Sequence, residues 1–184
     1  MTPGRREALI LGTAGIAAAA AGFLIGPVVL RSTGRGTGVG QHFWDGALRS
    51  VSLVDLAGNP RQLNEWQGQA LVCNFWATWC APCREEIPML ISEREKYRGS
   101  GLEIVGIAID NAAKVGEFAA SLKITYPILL AEANGLDLMR RLGNSSGGLP
   151  YTVIADRQGV LVHRALGAMR QVDLDRVLGS LGRR

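Results

Sequence analysis

The chain has 184 residues, 47% of them apolar and 20% charged, which is room for one ordinary globular domain plus an appendage. Its net charge of +4 is a property of the front end, because residues 1–40 hold four arginines and one glutamate and leave 16 basic against 15 acidic residues in the remainder. That balance excludes a basic stripe of the kind nucleic acid requires, so no nucleic-acid partner is expected.

From Ala8 to Leu30 there is no charged residue. As a helix this run would reach about 34 Å, enough to cross the hydrocarbon core of a bilayer, and the Arg5-Arg6 pair ahead of it would stay in the cytoplasm by the positive-inside tendency. Residues 1–30 are therefore expected to be a membrane anchor or signal segment. An uncleaved anchor is favoured, since no Ala-x-Ala-like site follows Leu30; cleavage among the small residues inside the run, and a partial twin-arginine character, stay open. Residues 31–40, with four glycines, read as a flexible linker, and residues 41–184 as the folded domain, placed outside the cytoplasm.

Within the domain, a short hairpin or pair of strands is expected between Gln41 and Trp66, around Val51-Ser52-Leu53-Val54, with Ala57-Gly58-Asn59-Pro60 as the turn. Ala70 to Trp76 reads as a buried central strand, followed by a helix from about Ala81 to Arg98 that Pro88 should kink. Glu103 to Ile109 is the most strand-like run, leading through Asp110-Asn111 into a helix over Ala113 to Leu122. Tyr126 to Leu130 reads as an edge strand, because proline is unwelcome in a central one. Asn134 to Leu142 is expected to be a short helix closed by Gly143. A hairpin of Tyr151 to Ala155 and Val160 to Arg164 turns through Asp156-Arg157-Gln158-Gly159, and a last helix over Gln171 to Leu181 has Val172, Leu174, Leu178 and Leu181 as its apolar positions. Strands alternating with helices imply a mixed sheet covered by helices.

The chemistry concentrates in Cys80-Ala81-Pro82-Cys83. At a helix start, Cys80 meets unpaired N–H groups and the positive dipole end, which favour thiolate, the attacking species in disulfide exchange. Cys83 lies one turn further in, where it can resolve a mixed disulfide, and Pro82 fits the first turn because it lacks an N–H. Half a zinc site is the competing reading, but the other half is missing: the remaining candidates are Cys73, His42 and His163, without ligand spacing. A purely structural disulfide is disfavoured by the shortness of the loop it would close. On the helix Glu86 falls on the face of Cys83, whereas Glu85 points away. Trp79 beside Cys80 suggests an apolar platform for a partner, Trp76 is read as partly core, and Cys73 and His163 as structural.

The run Asn74-Phe75-Trp76-Ala77-Thr78-Trp79-Cys80-Ala81-Pro82-Cys83-Arg84-Glu85-Glu86-Ile87-Pro88, then Gly148-Leu149-Pro150, then Asp156-Arg157-Gln158-Gly159, resembles the thioredoxin superfamily and, more narrowly, its TlpA/ResA-like thiol-disulfide oxidoreductases. The resemblance implies an α/β, thioredoxin-like fold: a mixed central sheet with helices on both faces, an N-terminal strand extension, and an extra helix and strand within Asn111 to Leu130. It implies a cis Pro150 facing the cysteines, with the Leu149 backbone available to an extended substrate segment, and an acidic role for Glu86. Thioredoxins proper carry an aspartate where this chain has Asn74, which cannot exchange a proton.

The expected sites are therefore Cys80, Cys83 and Glu86 as catalytic residues and Trp79, Leu149 and Pro150 for substrate, with no cofactor or metal beyond the Cys80–Cys83 pair. The Ala81-Pro82 linker offers no cation to stabilise the thiolate, which favours a reductant, as in thioredoxin at about −270 mV, over an oxidant such as DsbA at about −120 mV. The resemblance adds the expected partners: disulfides of extracytoplasmic proteins in cytochrome c or copper-site maturation, and a membrane dithiol reductase as electron donor. Two alternatives on the same fold are weighed. A thiol peroxidase would need threonine where Ala77 stands, and a copper-binding assembly factor, using both thiolates and His163, tends to have three residues between its cysteines.

Overall fold

The structure is a computed structural model that describes residues 42–43, 51–132 and 134–181. The anchor and linker expected over residues 1–40 lie outside the described residues; among the described residues no helix is long and apolar enough to cross a membrane.

The described chain forms strands β1 (Ser52–Asp55) and β2 (Pro60–Gln62), a 3-10 turn (Leu63–Trp66), β3 (Ala70–Trp76), α1 (Ala81–Lys96), β4 (Leu102–Ala108), α2 (Ala112–Leu122), β5 (Ile128–Leu130), α3 (Gly135–Arg141), β6 (Tyr151–Ala155), β7 (Leu161–Leu166) and α4 (Gln171–Leu181). Seven strands make one mixed sheet in the order β2-β1-β5-β4-β3-β6-β7. β3 pairs parallel with β4 and antiparallel with β6, so it is hydrogen-bonded on both sides and every residue in it is buried. A run without polar alternation is what a strand covered on both faces requires.

Side chains of β3 alternate between two cores. Leu71, Cys73 and Phe75 pack with Leu138, Met139 and Leu142 on one face. Val72 and Trp76 pack on the other with Ile87 and Leu90 of α1, Val115 of α2 and Leu174 and Leu178 of α4. Helices thus cover both faces, as expected. The β1–β2 hairpin is the N-terminal strand extension; its turn is held by the Asp55 carboxylate, which accepts from the backbone N–H of Ala57 and of Asn59, 2.9 Å each.

Two expectations are corrected. The strand preceded by Pro127 is not an edge: β5 lies between β4 and β1. Proline is tolerated because it precedes the strand and contributes only its carbonyl, which accepts from Gly106 N at 2.9 Å, so the missing N–H costs no sheet bond. In α4, Leu174 and Leu178 are buried but Val172 is 54% exposed, since its position in the first turn points off the apolar stripe. α1 runs without interruption through Pro88. The helix over Ala112–Leu122 is capped by Asn111, whose side chain accepts from Lys114 N, and ends at Lys123 in the left-handed conformation, φ 53°.

Candidate active site

The disulfide sits where three elements end together. β3 delivers the chain to the turn at Ala77–Trp79, and Cys80 becomes the N-cap of α1, its Sγ accepting from Cys83 N at 3.3 Å. No acidic residue lies in the first turn of α1, so nothing offsets the positive end of the helix there. The turn is fastened from β4's end by a hydrogen bond from Thr78 Oγ1 to the Asp110 carboxylate. Burial raises the Asp110 pKa, but the bonds from Thr78 and Asn111 N–H outweigh it and hold the carboxyl below its ordinary value.

Cys80 and Cys83 are joined in a disulfide. The pair is asymmetric: Cys83 is completely buried, whereas Cys80 keeps 6% of its surface and adjoins Trp79, which is 67% exposed. Because β6 runs antiparallel to β3 and begins at Tyr151, opposite Phe75, the residue before it, Pro150, arrives at the same end of the sheet as Cys80. The Leu149–Pro150 bond is cis. The loop ahead of it is stapled by Asn144, which donates to Gly148 O at 2.9 Å and accepts from Gly147 N at 3.0 Å. Leu149 is half-buried and packs against both cores. The exposed side chains Leu136 and Leu166 lie against this glycine loop, so close that a Cβ would stand 2.5 Å from Leu136 at Gly147 and 3.0 Å from Leu166 at Gly148. Nothing in the sequence singled out these two leucines, because their proximity to the loop is set by long-range packing.

Behind the disulfide, Glu86 is 4% exposed, while Glu85 is exposed on the opposite side of α1, as their spacing from Cys83 predicts. One Glu86 oxygen accepts from Asn74 Nδ2 at 2.7 Å and the other from Met169 N at 2.9 Å. Asn74 Nδ2 also donates to Thr152 Oγ1 at 2.9 Å. Burial lifts the Glu86 pKa above the ordinary carboxylate value, and the two hydrogen bonds only partly oppose it. Asn74, set aside in the sequence for having no proton to exchange, is thus the residue that orients the acid. The Met169 N–H comes from the loop before α4, and a backbone donor leaves no mark in sequence.

A disulfide whose first cysteine caps a helix N-terminus and keeps a small exposed area, a completely buried partner one turn on and a cis-proline loop at the same end of the sheet define a thioredoxin-like thiol-disulfide oxidoreductase, an enzyme that exchanges two electrons between dithiols and disulfides. The chain belongs to the AhpC/TSA family, whose sequence profile matches residues 39–164. It is 30% identical over 132 residues to the thiol-disulfide oxidoreductase ResA of Geobacillus kaustophilus, an alignment covering 70% of this chain and 72% of that one. Among solved structures, a thiol:disulfide interchange protein of the thioredoxin family from Chlorobium tepidum is 28% identical, with a TM-score of 0.62 over 71% of this chain and 92% of the other. A secreted thiol-disulfide isomerase from Corynebacterium glutamicum shares the fold at 21% identity and a TM-score of 0.66, covering 73% of this chain and 84% of the other.

Proposed function

We propose that this oxidoreductase works outside the cytoplasm, tethered by its N-terminal segment, and reduces disulfides in other exported proteins. The observation that carries the reading is the asymmetry of the pair, with Cys80 keeping a small exposed area beside the exposed Trp79 and Cys83 completely buried, one helical turn before the buried Glu86. In the reduced protein the Cys80 thiolate attacks a substrate disulfide, forming a mixed disulfide and releasing one substrate sulfur as a thiolate, which takes up a proton. The Cys83 thiol passes its proton to Glu86 and the resulting thiolate attacks Cys80 Sγ. The second substrate sulfur leaves with both electrons, and the Cys80–Cys83 bond closes. A membrane dithiol reductase then restores the thiols.

The direction follows from charge. No cation stabilises the Cys80 thiolate from the Ala81-Pro82 linker, and a carboxylate behind Cys83 opposes a second negative charge. A reduced form so little stabilised gives up its electrons readily. Trp79, the Leu149 backbone, Pro150 and the flanking Leu166 supply an apolar, largely unselective dock for an extended segment, suited to substrates of the cytochrome c or copper-site maturation type. The peroxidase alternative is disfavoured by Ala77. The copper alternative is disfavoured by register: His163 pairs with Ile154, and Ile154 with Val72, about 13 Å of strand upstream of the end that bears Cys80.

The test is trapping in cells. A Cys83→Ser variant lacks the resolving thiol and should accumulate a mixed disulfide on Cys80 with exported proteins, identified by mass spectrometry. Adducts confined to cytoplasmic proteins would refute the compartment, and adduct formation by Cys80→Ser in place of Cys83→Ser would reverse the two roles.

A further inference from the structure

Three buried side-chain atoms, Asn74 Oδ1, Trp76 Nε1 and Tyr126 Oη, have no hydrogen-bond partner. Their chemistry is complementary, since the indole N–H and the phenol can donate while the amide oxygen accepts. They also converge. Asn74 stands opposite Gly106 in the β3–β4 register, Trp76 lies two residues on and faces the same core, and Tyr126 approaches from the segment before β5. A Cβ on Gly106 would lie 2.9 Å from Trp76 Nε1 and 2.9 Å from Tyr126 Cε2, so both rings close over one bare stretch of backbone. Glu86 borders the same spot through its 2.7 Å bond to Asn74. The Glu86 charge is also felt by Tyr126, whose phenol burial and that charge together keep protonated and therefore a donor.

Buried polar atoms are satisfied almost without exception, and three complementary orphans in one place imply a shared partner. We propose that Asn74, Trp76 and Tyr126 build a buried site for a water molecule that hydrogen-bonds Glu86. The water accepts from Trp76 Nε1 and Tyr126 Oη, which fixes its two protons toward Asn74 Oδ1 and the Glu86 carboxylate, completing four bonds. Held in that orientation it can only donate to Glu86, and it favours the ionised carboxylate against burial. Tyr126 is then a positioning residue that acts on Glu86 through the water.

The other groups around Glu86 are accounted for. Among the described residues, Cys83 stands one turn before it on the same face of α1 and Tyr126 feels its charge from the lead into β5; β3 and the loop before α4 give it Asn74 and the Met169 N–H, and β6 gives Thr152 to Asn74, none of which titrates. The proposal rests on the burial of Glu86 and not on the proton exchange assigned to it above. It is therefore tested on the oxidised protein, in which Cys80 and Cys83 have no thiol to titrate.

The experiment follows the Glu86 side-chain carboxyl by carbon NMR across pH in the unmutated protein and in Tyr126→Phe, with Glu86→Gln assigning the resonance. The expected result is a midpoint raised by about one pH unit in Tyr126→Phe, a tenfold gain in proton affinity. An unchanged midpoint together with a higher melting temperature would overturn the proposal, because deleting an unsatisfied hydroxyl relieves the fold without touching Glu86. Should the variant fail to fold, a crystal structure of the unmutated protein decides: ordered water within hydrogen-bonding distance of the three atoms supports the site, and a dry pocket overturns it.

Discussion

At Glu86 the energetics have a definite sign. In an unfolded chain a glutamate releases its proton near pH ~4.3. Here burial raises the folded pKa, so between the two values the folded protein holds a proton that the unfolded one has lost. Stability should fall as pH rises through that window and level off above it, by about 1.4 kcal/mol for each unit of elevation. A Glu86→Gln variant has no such slope. Its new amide hydrogens are accommodated by flipping the Asn74 amide, since the Thr152 hydroxyl that now accepts from it can donate instead. Urea midpoints should therefore show the parent losing stability relative to Glu86→Gln between pH ~4 and pH ~8, on top of the slope that the depressed carboxylates such as Asp110 give both proteins; an unchanged gap between the two would mean that the acid is not perturbed. In the reduced protein, the same substitution should alter the pH profile of Cys80 alkylation, with Glu85→Gln silent because Glu85 is exposed.

Among the elements, β4 has a requirement out of proportion to its one glycine. Gly106 lies under Trp76 and Tyr126, two buried rings that cannot swing aside, and both would stand 2.9 Å from an added Cβ. Gly106→Ala should cost about 1–3 kcal/mol by overpacking, read as a lowered melting temperature. Since Gly106 adopts no positive φ, a neutral result would show that the rings yield. The strand was readable from its apolar run, but the need for glycine at its centre was not, because Trp76 and Tyr126 are 30 and 20 residues away. Length and pattern likewise gave α1, α2, α4 and the terminal hairpin, whereas the place of β5 inside the sheet depended on β1 folding back to cover it.

The described domain is a sheet with a core on each face, and β3 divides its cysteines between them. Cys83 belongs to the core under α1, and Cys73 to the core under α3. The sheet backbone lies between, so Cys73 cannot join the exchange, and burial pushes its thiol far above the ordinary range. Alkylation of the reduced native protein should modify Cys80 first, with Cys73 reacting only as fast as the molecule unfolds globally. Prompt labelling of Cys73 would mean that this core opens locally.

Sequence alone determined the dithiol, its place at a helix start, the face shared by Cys83 and Glu86 and nearly every element, because each rests on spacing within one turn or one strand. Tertiary structure decided what surrounds the acid. Asn74, the Thr152 that holds it, Tyr126 and the Met169 N–H come from four separate segments, and only closure of the sheet, with α4 packed across it, assembles them around one carboxylate. A local pattern can encode which way a side chain points; the dielectric and the hydrogen-bond partners it meets are set by residues up to 83 positions away.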